Sequence, residues 1–369
     1  MSVYVSLKSI IILITMLVST SCNSLEAAYC NMANINGVNQ NNNAPYLGFA
    51  LKVGDYIFLG DAGGVHRANA SLENIETVVT NENYFYDVQL GISVFRYLHY
   101  YSGRIFFLDT RSRTIYSKYI DGSDLSVHFS SNTPWHTNET QGLVSSFVIV
   151  DGVIYFQYFT GVSNLKKYII ETGSIVDLNI EHTPILSASY DERYLYFSRD
   201  FWELTSFNID SGAVQTIMPI NLNELLEVEP LTFIRHRAIV EGKVAFAVGT
   251  VSGSRIFVLN EYWYAEEIYF TNMYILPYIN AINCFIYFTV MTRSRDIHLY
   301  RIRYDGNDLE RIYSYLFHRS VVIPTIFINI FHEDIILMRT PPTNHRIYAL
   351  VKNSDTNKFE RKIVNPQIY

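Results

Sequence analysis

The stretch YLHYYSGRIFFLDTRSRTIYSKYIDGSDL, residues 97–125, decides the fold. It reads as a strand, a corner at Gly103, an aromatic strand, a short loop, a third strand and an Asp121-Gly122-Ser123 turn. Asp-Gly and Asn-rich pairs tolerate positive φ, which makes them strong hairpin signals. Weaker copies of this unit recur along most of the chain. Anchored on the corner residue, they begin at Gly54, Gly103, Gly152, Arg193, Gly242, Cys284 and Glu333, at spacings of 49, 49, 41, 49, 42 and 49 residues.

Four residues after each anchor stand Phe58, Phe107, Phe156, Phe197, Phe246, Phe288 and Leu337. The strands around them are apolar on both faces, as a strand must be when sheets stack on either side of it. A large ring at one place per sheet would fill the space between neighbours. Each unit continues with a third strand (114–120 and 299–304, for instance), a turn and a last strand, and a further strand precedes each corner. Four strands repeating at about 40–50 residues is the sequence form of a β-propeller blade. Two β-sandwiches would not keep such a register, and a β-helix has a far shorter repeat. The expectation is an all-β, seven-bladed β-propeller of four-stranded antiparallel blades over residues 47–369. A six-bladed ring is the alternative if a terminal unit is atypical. Residues 222–229, LNELLEVE, form the one stretch suited to a short helix.

The start of the chain reads differently. Lys8 precedes an apolar run over residues 10–18, broken only by Thr15, and Ser19, Thr20 and Ser21 follow. That is the pattern of an export signal over residues 1–21, and the run falls well short of the roughly 20 residues that span a bilayer. Ser19 and Ser21 occupy the −3 and −1 positions of a cut before Cys22. Cys22 also resembles the lipidated cysteine of bacterial lipoproteins. Residues 22–46, with seven Asn between 31 and 43, read as a tether that cannot bury much apolar surface. The expected location is secreted or extracellular, with lipid anchoring on the outer face of a membrane as the alternative and the only membrane contact.

Composition narrows the partners. Aromatic residues make up 15% of the chain and charged residues 17%, which favours strand packing. A net charge of −7 without a basic block argues against nucleic acid. The cysteines are Cys22, Cys30 and Cys284, too few for a disulfide framework, although Cys30 and Cys284 could pair. Asn69-Ala70-Ser71 and Asn138-Glu139-Thr140 match the N-glycosylation pattern, which has meaning only in a eukaryotic source.

Two units carry a family resemblance. IFFLDTRSRTIYSKYIDGSDL and IYFTVMTRSRDIHLYRIRYDGNDL resemble the YWTD, or class B, repeat of the LDL-receptor family. Residues 106–109 and 287–290 stand where that family has Tyr-Trp-Thr-Asp, and the turns at Asp121 and Asp305 stand where it has its Asp-Gly turn. Residues 34–37, followed by 47–58, look like the opening of a bacterial family of exported propellers related to these repeats. Asp109 alone keeps the aspartate of the motif. The resemblance implies extracellular protein or peptide binding on one propeller face, without catalysis.

Few residues point to chemistry. The chain has no Gly-x-Ser-x-Gly elbow, no His-Glu-x-x-His and no phosphate loop. No catalytic residue, cofactor or metal ligand set is expected. Binding candidates on the tunnel and rim are His99, His236, Arg237, Asn280, Asn329, Trp135 and Trp263. The expected partner of this monomer is a protein or peptide, with carbohydrate as a lesser option. The competing reading is a hydrolase or lyase with its site at the mouth of the central tunnel. Three or more converging carboxylates or arginines at a rim would favour the enzyme, and an exposed apolar patch would favour binding.

Overall fold

A computed structural model describes residues 49–364. Segments 61–63, 81–94, 131–142, 160–161, 182–185, 189–192, 199–203, 218–230, 241–242, 261–263, 276–278, 316–326, 333–334 and 340–346, and single residues elsewhere, fall outside the description. Residues 222–229, 1–21 and 22–46 therefore lie outside the described residues.

The described strands form successive antiparallel sheets, each a meander of consecutive strands. The first runs from Ala50–Val53 to Glu76–Thr80, the second from Phe95–Tyr101 to Ser126–Ser130, and the third from Leu143–Val150 to Ser174–Glu181. The fourth runs from Leu186–Ala188 to Val214–Ile217, the fifth from Leu231–Val240 to Ala265–Thr271. The sixth ends at Glu310–Tyr315, and the last runs from Phe327–His332 to Phe359–Ile363. Inner strands of most neighbouring sheets touch one another, so they line the centre of the ring. This is an all-β propeller of four-stranded antiparallel sheets.

Six sheets have four strands each, which meets the six-bladed alternative and not the seven-bladed main expectation. The sixth sheet has five strands, because its inner edge is split into Tyr274–Ile275 and Asn280–Ile282, both pairing with Phe285–Met291. Pro277 lies between the two pieces in sequence, and proline cannot donate to a ladder.

Apolar clusters join each sheet to the next. Leu51, Phe58 and Val65 of the first sheet meet Phe95, Ile105 and Phe107 of the second. Phe106 and Leu108 of the second meet Phe147, Ile154 and Phe156 of the third. Further clusters continue through the fourth, fifth and sixth sheets to the last. The final seam sets Ala349 and Val364 against Phe49, Ala50, Ile57 and Leu59 of the first sheet. Among the described residues, the first and last sheets are each built from one continuous stretch of chain and meet at this seam by side-chain packing.

The corners explain one departure from the sequence pattern. In the second and third sheets both turn residues have positive φ: Ser102 (+49°) with Gly103 (+79°), and Asp151 (+47°) with Gly152 (+75°). That is the type I′ hairpin, which follows the natural twist of the strands. In the first sheet Val53 pairs with Tyr56, and the positive φ falls on Gly54, the first turn residue. The glycine has moved one place, so the register has too. Phe107, Phe156, Phe246 and Phe288 share one slot and face the preceding sheet. Phe58 stands one slot earlier, faces the following sheet, and meets Phe107 from the other side of the same seam.

In three of these four sheets the ring stacks on an aromatic directly opposite on the third strand, whereas Phe156 stands opposite Lys166. Phe107 lies 5.7 Å from Tyr116, Phe246 5.4 Å from Phe257, and Phe288 5.7 Å from Tyr300, at interplanar angles of 20°, 21° and 16°. Such cross-strand aromatic pairs add to the energy of burial. Phe107→Ala and Phe156→Ala should each lower the free energy of unfolding by about 3–5 kcal/mol, read as a drop in the urea midpoint. Midpoints within error of wild type would mean these rings do not hold the seams.

Candidate binding surfaces

The sequence-predicted candidates fall into three groups. Trp135 and Trp263 lie outside the described residues, as do Cys22 and Cys30. His236, Arg237 and Asn329 are placed by backbone alone, His236 opposite Ala247, Arg237 opposite Phe246 and Asn329 opposite Leu337. His99 and Asn280 are described with their side chains.

His99 pairs across its hairpin with Phe106, Asn280 with Tyr287, and Asn329 with Leu337. Counted from the hairpin turn, these are the same inner-strand position in three sheets. The position was expected to face water in the tunnel. Instead His99 and Asn280 are buried, at 4% and 1% exposure. His99 Nε2 donates to the Phe147 carbonyl of the next sheet at 3.0 Å, and the two rings lie 4.9 Å apart. An inner strand has a sheet on each side, so a side chain leaving its face enters a seam. His99 is thus a fastener between sheets. Burial lowers its imidazole from 6.5 to about 4, against the opposing pull of the Phe147 carbonyl.

A recurring polar device lies on the outer half of the sheets. A third-strand cation bridges an acid on the outer strand and lies over an aromatic ring. Arg67 joins Glu76 and covers Tyr56; Lys166 joins Asp177 and covers Tyr158. Arg255 joins Glu267 and covers Phe270; Arg301 joins Glu310 and covers Phe285. Arg104 does the same work from a second strand, with Asp124 and Tyr119. The acid follows the third-strand cation by 9 to 12 residues, a spacing the repeat could have disclosed. The acids are exposed, so each pair contributes little stability; the cation's main effect is to hold the ring against the sheet.

One rim combines the corners with the turns between third and outer strands. Two of its carboxylates cap their own turns: Asp121 Oδ1 accepts from the Ser123 amide at 2.8 Å and hydroxyl at 2.6 Å, and Asp305 Oδ1 from the Asn307 amide at 3.0 Å. The Ser123 hydroxyl and amide hold the Asp121 carboxyl below its usual range. Beside these turns Tyr56, Tyr119, Leu125, Tyr264 and Leu309 are exposed, between 40% and 51%. Asp109 belongs to the opposite rim, where it accepts from the Ser112 hydroxyl at 2.8 Å. Among the described residues no group of three or more His, Cys, Asp or Glu is placed to hold a metal ion. Among them, too, no helix is long and apolar enough to cross a membrane.

No protein-family model matches the chain, and no curated protein does. Solved structures do. A puromycin hydrolase S511A mutant matches with a TM-score of 0.56 at 12% identity, over 93% of this chain and 55% of that one. The β-propeller domain of the Trilobed protease from Pyrococcus furiosus, with an open velcro topology, matches with a TM-score of 0.52 at 10% identity, over 87% and 97%. The tricorn protease matches at 0.43 and 14% identity, over 75% of this chain and 26% of its own, so the chain spans about a quarter of that protein. At such identities the likeness is one of fold: the first two neighbours support a β-propeller, and the YWTD resemblance rests on its residues.

Cys284 sits at the corner of the sixth sheet with φ +64° and is disulfide-bonded. The expected partner, Cys30, lies outside the described residues. Cys284→Ser should cost about 2–4 kcal/mol of stability. Under non-reducing conditions the Cys284 thiol should resist alkylation; ready labelling would show it free.

Proposed function

We propose that this chain is an exported, non-catalytic propeller that binds a protein or peptide ligand on the rim of its corners and third-to-outer-strand turns. The observation that carries this reading is the set of exposed side chains there: Tyr56, Tyr119, Leu125, Tyr264 and Leu309. Single exposed apolar residues are ordinary. Five beside the turns of four sheets, on a frame stiffened by stacked seams, offer what a protein partner uses as anchors. Aromatic rings pinned under Arg67 and Arg104 lose little entropy on binding. A carbohydrate ligand would use the same rings.

The YWTD resemblance supports the same reading, since that family binds extracellular proteins. The competing enzyme would place its site at the tunnel mouth. Two carboxylates of the corner rim, Asp121 and Asp305, lend it no support, because they are bonded to their own turns. We further propose that the five-stranded sheet is a blade, making seven. Apolar seams on both of its sides support this; an experimental density section across the ring would count seven lobes or six.

The binding test uses the mature protein as a monomer, immobilised and screened against a random peptide display library. Tyr56→Ser, Leu125→Ser, Tyr264→Ser and Leu309→Ser combined should abolish enrichment and leave the melting temperature unchanged. Unaltered enrichment, or turnover of lactone or oligosaccharide substrates, would reject the reading. Export has its own readout: mass spectrometry should find either an acylated Cys22 or a new N-terminus between residues 22 and 30. An intact Met1 on protein from the producing cell would remove export from the proposal.

A further inference from the structure

The second sheet turns one row of side chains toward the third. His99 stands on the inner strand, Phe106 on the next, Ser117 on the third and His128 on the outer strand. His128 lies 4.8 Å from the Phe106 ring, over the small Ser117, whose hydroxyl pairs with His128 Nε2 at 2.7 Å. Across the seam, His99 meets the Phe147 carbonyl and ring, and His128 meets the Tyr168 ring edge-on at 5.8 Å. Two imidazoles therefore flank one core phenylalanine in a single seam.

We propose that the seam between the second and third sheets is an acid-responsive joint, in which protonation of His99 and His128 sets two cations between the sheets and parts them while other seams stay closed.

The surroundings favour the neutral imidazoles. Arg104 donates to the Ser117 hydroxyl at 2.8 Å, so a fixed cation already stands beside His128. Asp124 is paired with Arg104 at 2.9 Å, and on the third sheet Asp177 is paired with Lys166 at 3.3 Å. Both carboxylates are exposed and committed to those cations. The other ionisable side chains on the strand of His99 are Arg96, Tyr97, Tyr100 and Tyr101. Burial, then Arg104, lowers the His128 imidazole from 6.5 to about 4, and burial brings His99 to about 4.

The sign follows from linkage. Opened, each histidine binds a proton near pH 6.5; closed, only near pH 4. The closed seam is fully favoured above pH 6.5 and loses about tenfold per pH unit for each imidazole between 6.5 and 4. For the buried His99 the whole interval is about 300-fold. His128 is partly solvated, so its share is smaller.

Hydrogen exchange on the full chain tests this. Protection factors, corrected for intrinsic rates, would be followed from pH 7.5 to 4.5 on Phe95–Tyr101 and Leu143–Val150, and on Lys243–Thr250 and Phe285–Met291 of another seam. The first pair should lose protection below pH 6.5 and the second should hold. His99→Gln with His128→Gln should flatten the difference. Should the double variant not fold, NMR titration of the wild-type imidazoles decides. Midpoints near 4 uphold the joint. Midpoints near 6.5, or equal loss in both seams, overturn it.

Discussion

Everything in this protein depends on strands that are apolar on both faces. A second strand such as Arg104–Asp109 sends Ile105 and Phe107 into one seam and Phe106 and Leu108 into the other. Neither seam closes without its share, so no sheet is independent of its neighbours. The cost of ordering a four-stranded meander is recovered only when both faces are covered. Ring closure is therefore a packing requirement before it is a topological one. The last and first sheets satisfy it through Ala349, Val364, Phe49 and Ile57, and among the described residues they exchange no strand.

This constraint made the architecture legible. A two-faced strand leaves a run of apolar residues, its hairpin leaves a glycine or Asp-Gly pair, and their recurrence leaves a period. What the period concealed was local. Gly54 is the first residue of its turn and Gly103 the second of its own. Alignment on glycine thus put Phe58 and Phe107 in one column, although they approach one seam from opposite sides. Which φ in a turn is positive cannot be read from the glycine alone. The split inner edge of the sixth sheet was hidden for a related reason: the repeat pattern records apolarity and not pairing.

The candidate site was less legible because burial of inner-strand polar groups has no sequence signature. His99, Asn280 and Asn329 occupy one register position, each four residues before its anchor. Whether that position meets water or a neighbouring sheet depends on how closely the sheets pack. His99 reaches Phe147, 48 residues away, and only the fold brings them together. The cation-over-aromatic device was more readable in principle. Arg67 and Glu76, or Arg301 and Glu310, sit at a fixed spacing across one hairpin, but isolated charges on strands are too common to single out.

A ring that depends on every seam cannot be uniformly rigid if the seams differ in chemistry. Elsewhere Phe246 packs against Tyr196, and Phe288 against Ala247, in clusters of apolar side chains. The seam at Phe106 is bounded at both ends by imidazoles. Propellers use their loops to recognise and their seams to hold still, and here those two properties meet in one sheet. The second sheet carries Tyr119 and Leu125 on the corner rim, and its Arg104 reaches both Tyr119 and the Ser117 that supports His128. A change of charge in the seam would therefore be felt through Arg104 at the exposed ring. In this way a packing constraint, met by different residues in different seams, couples the most repetitive part of the chain to its proposed binding surface.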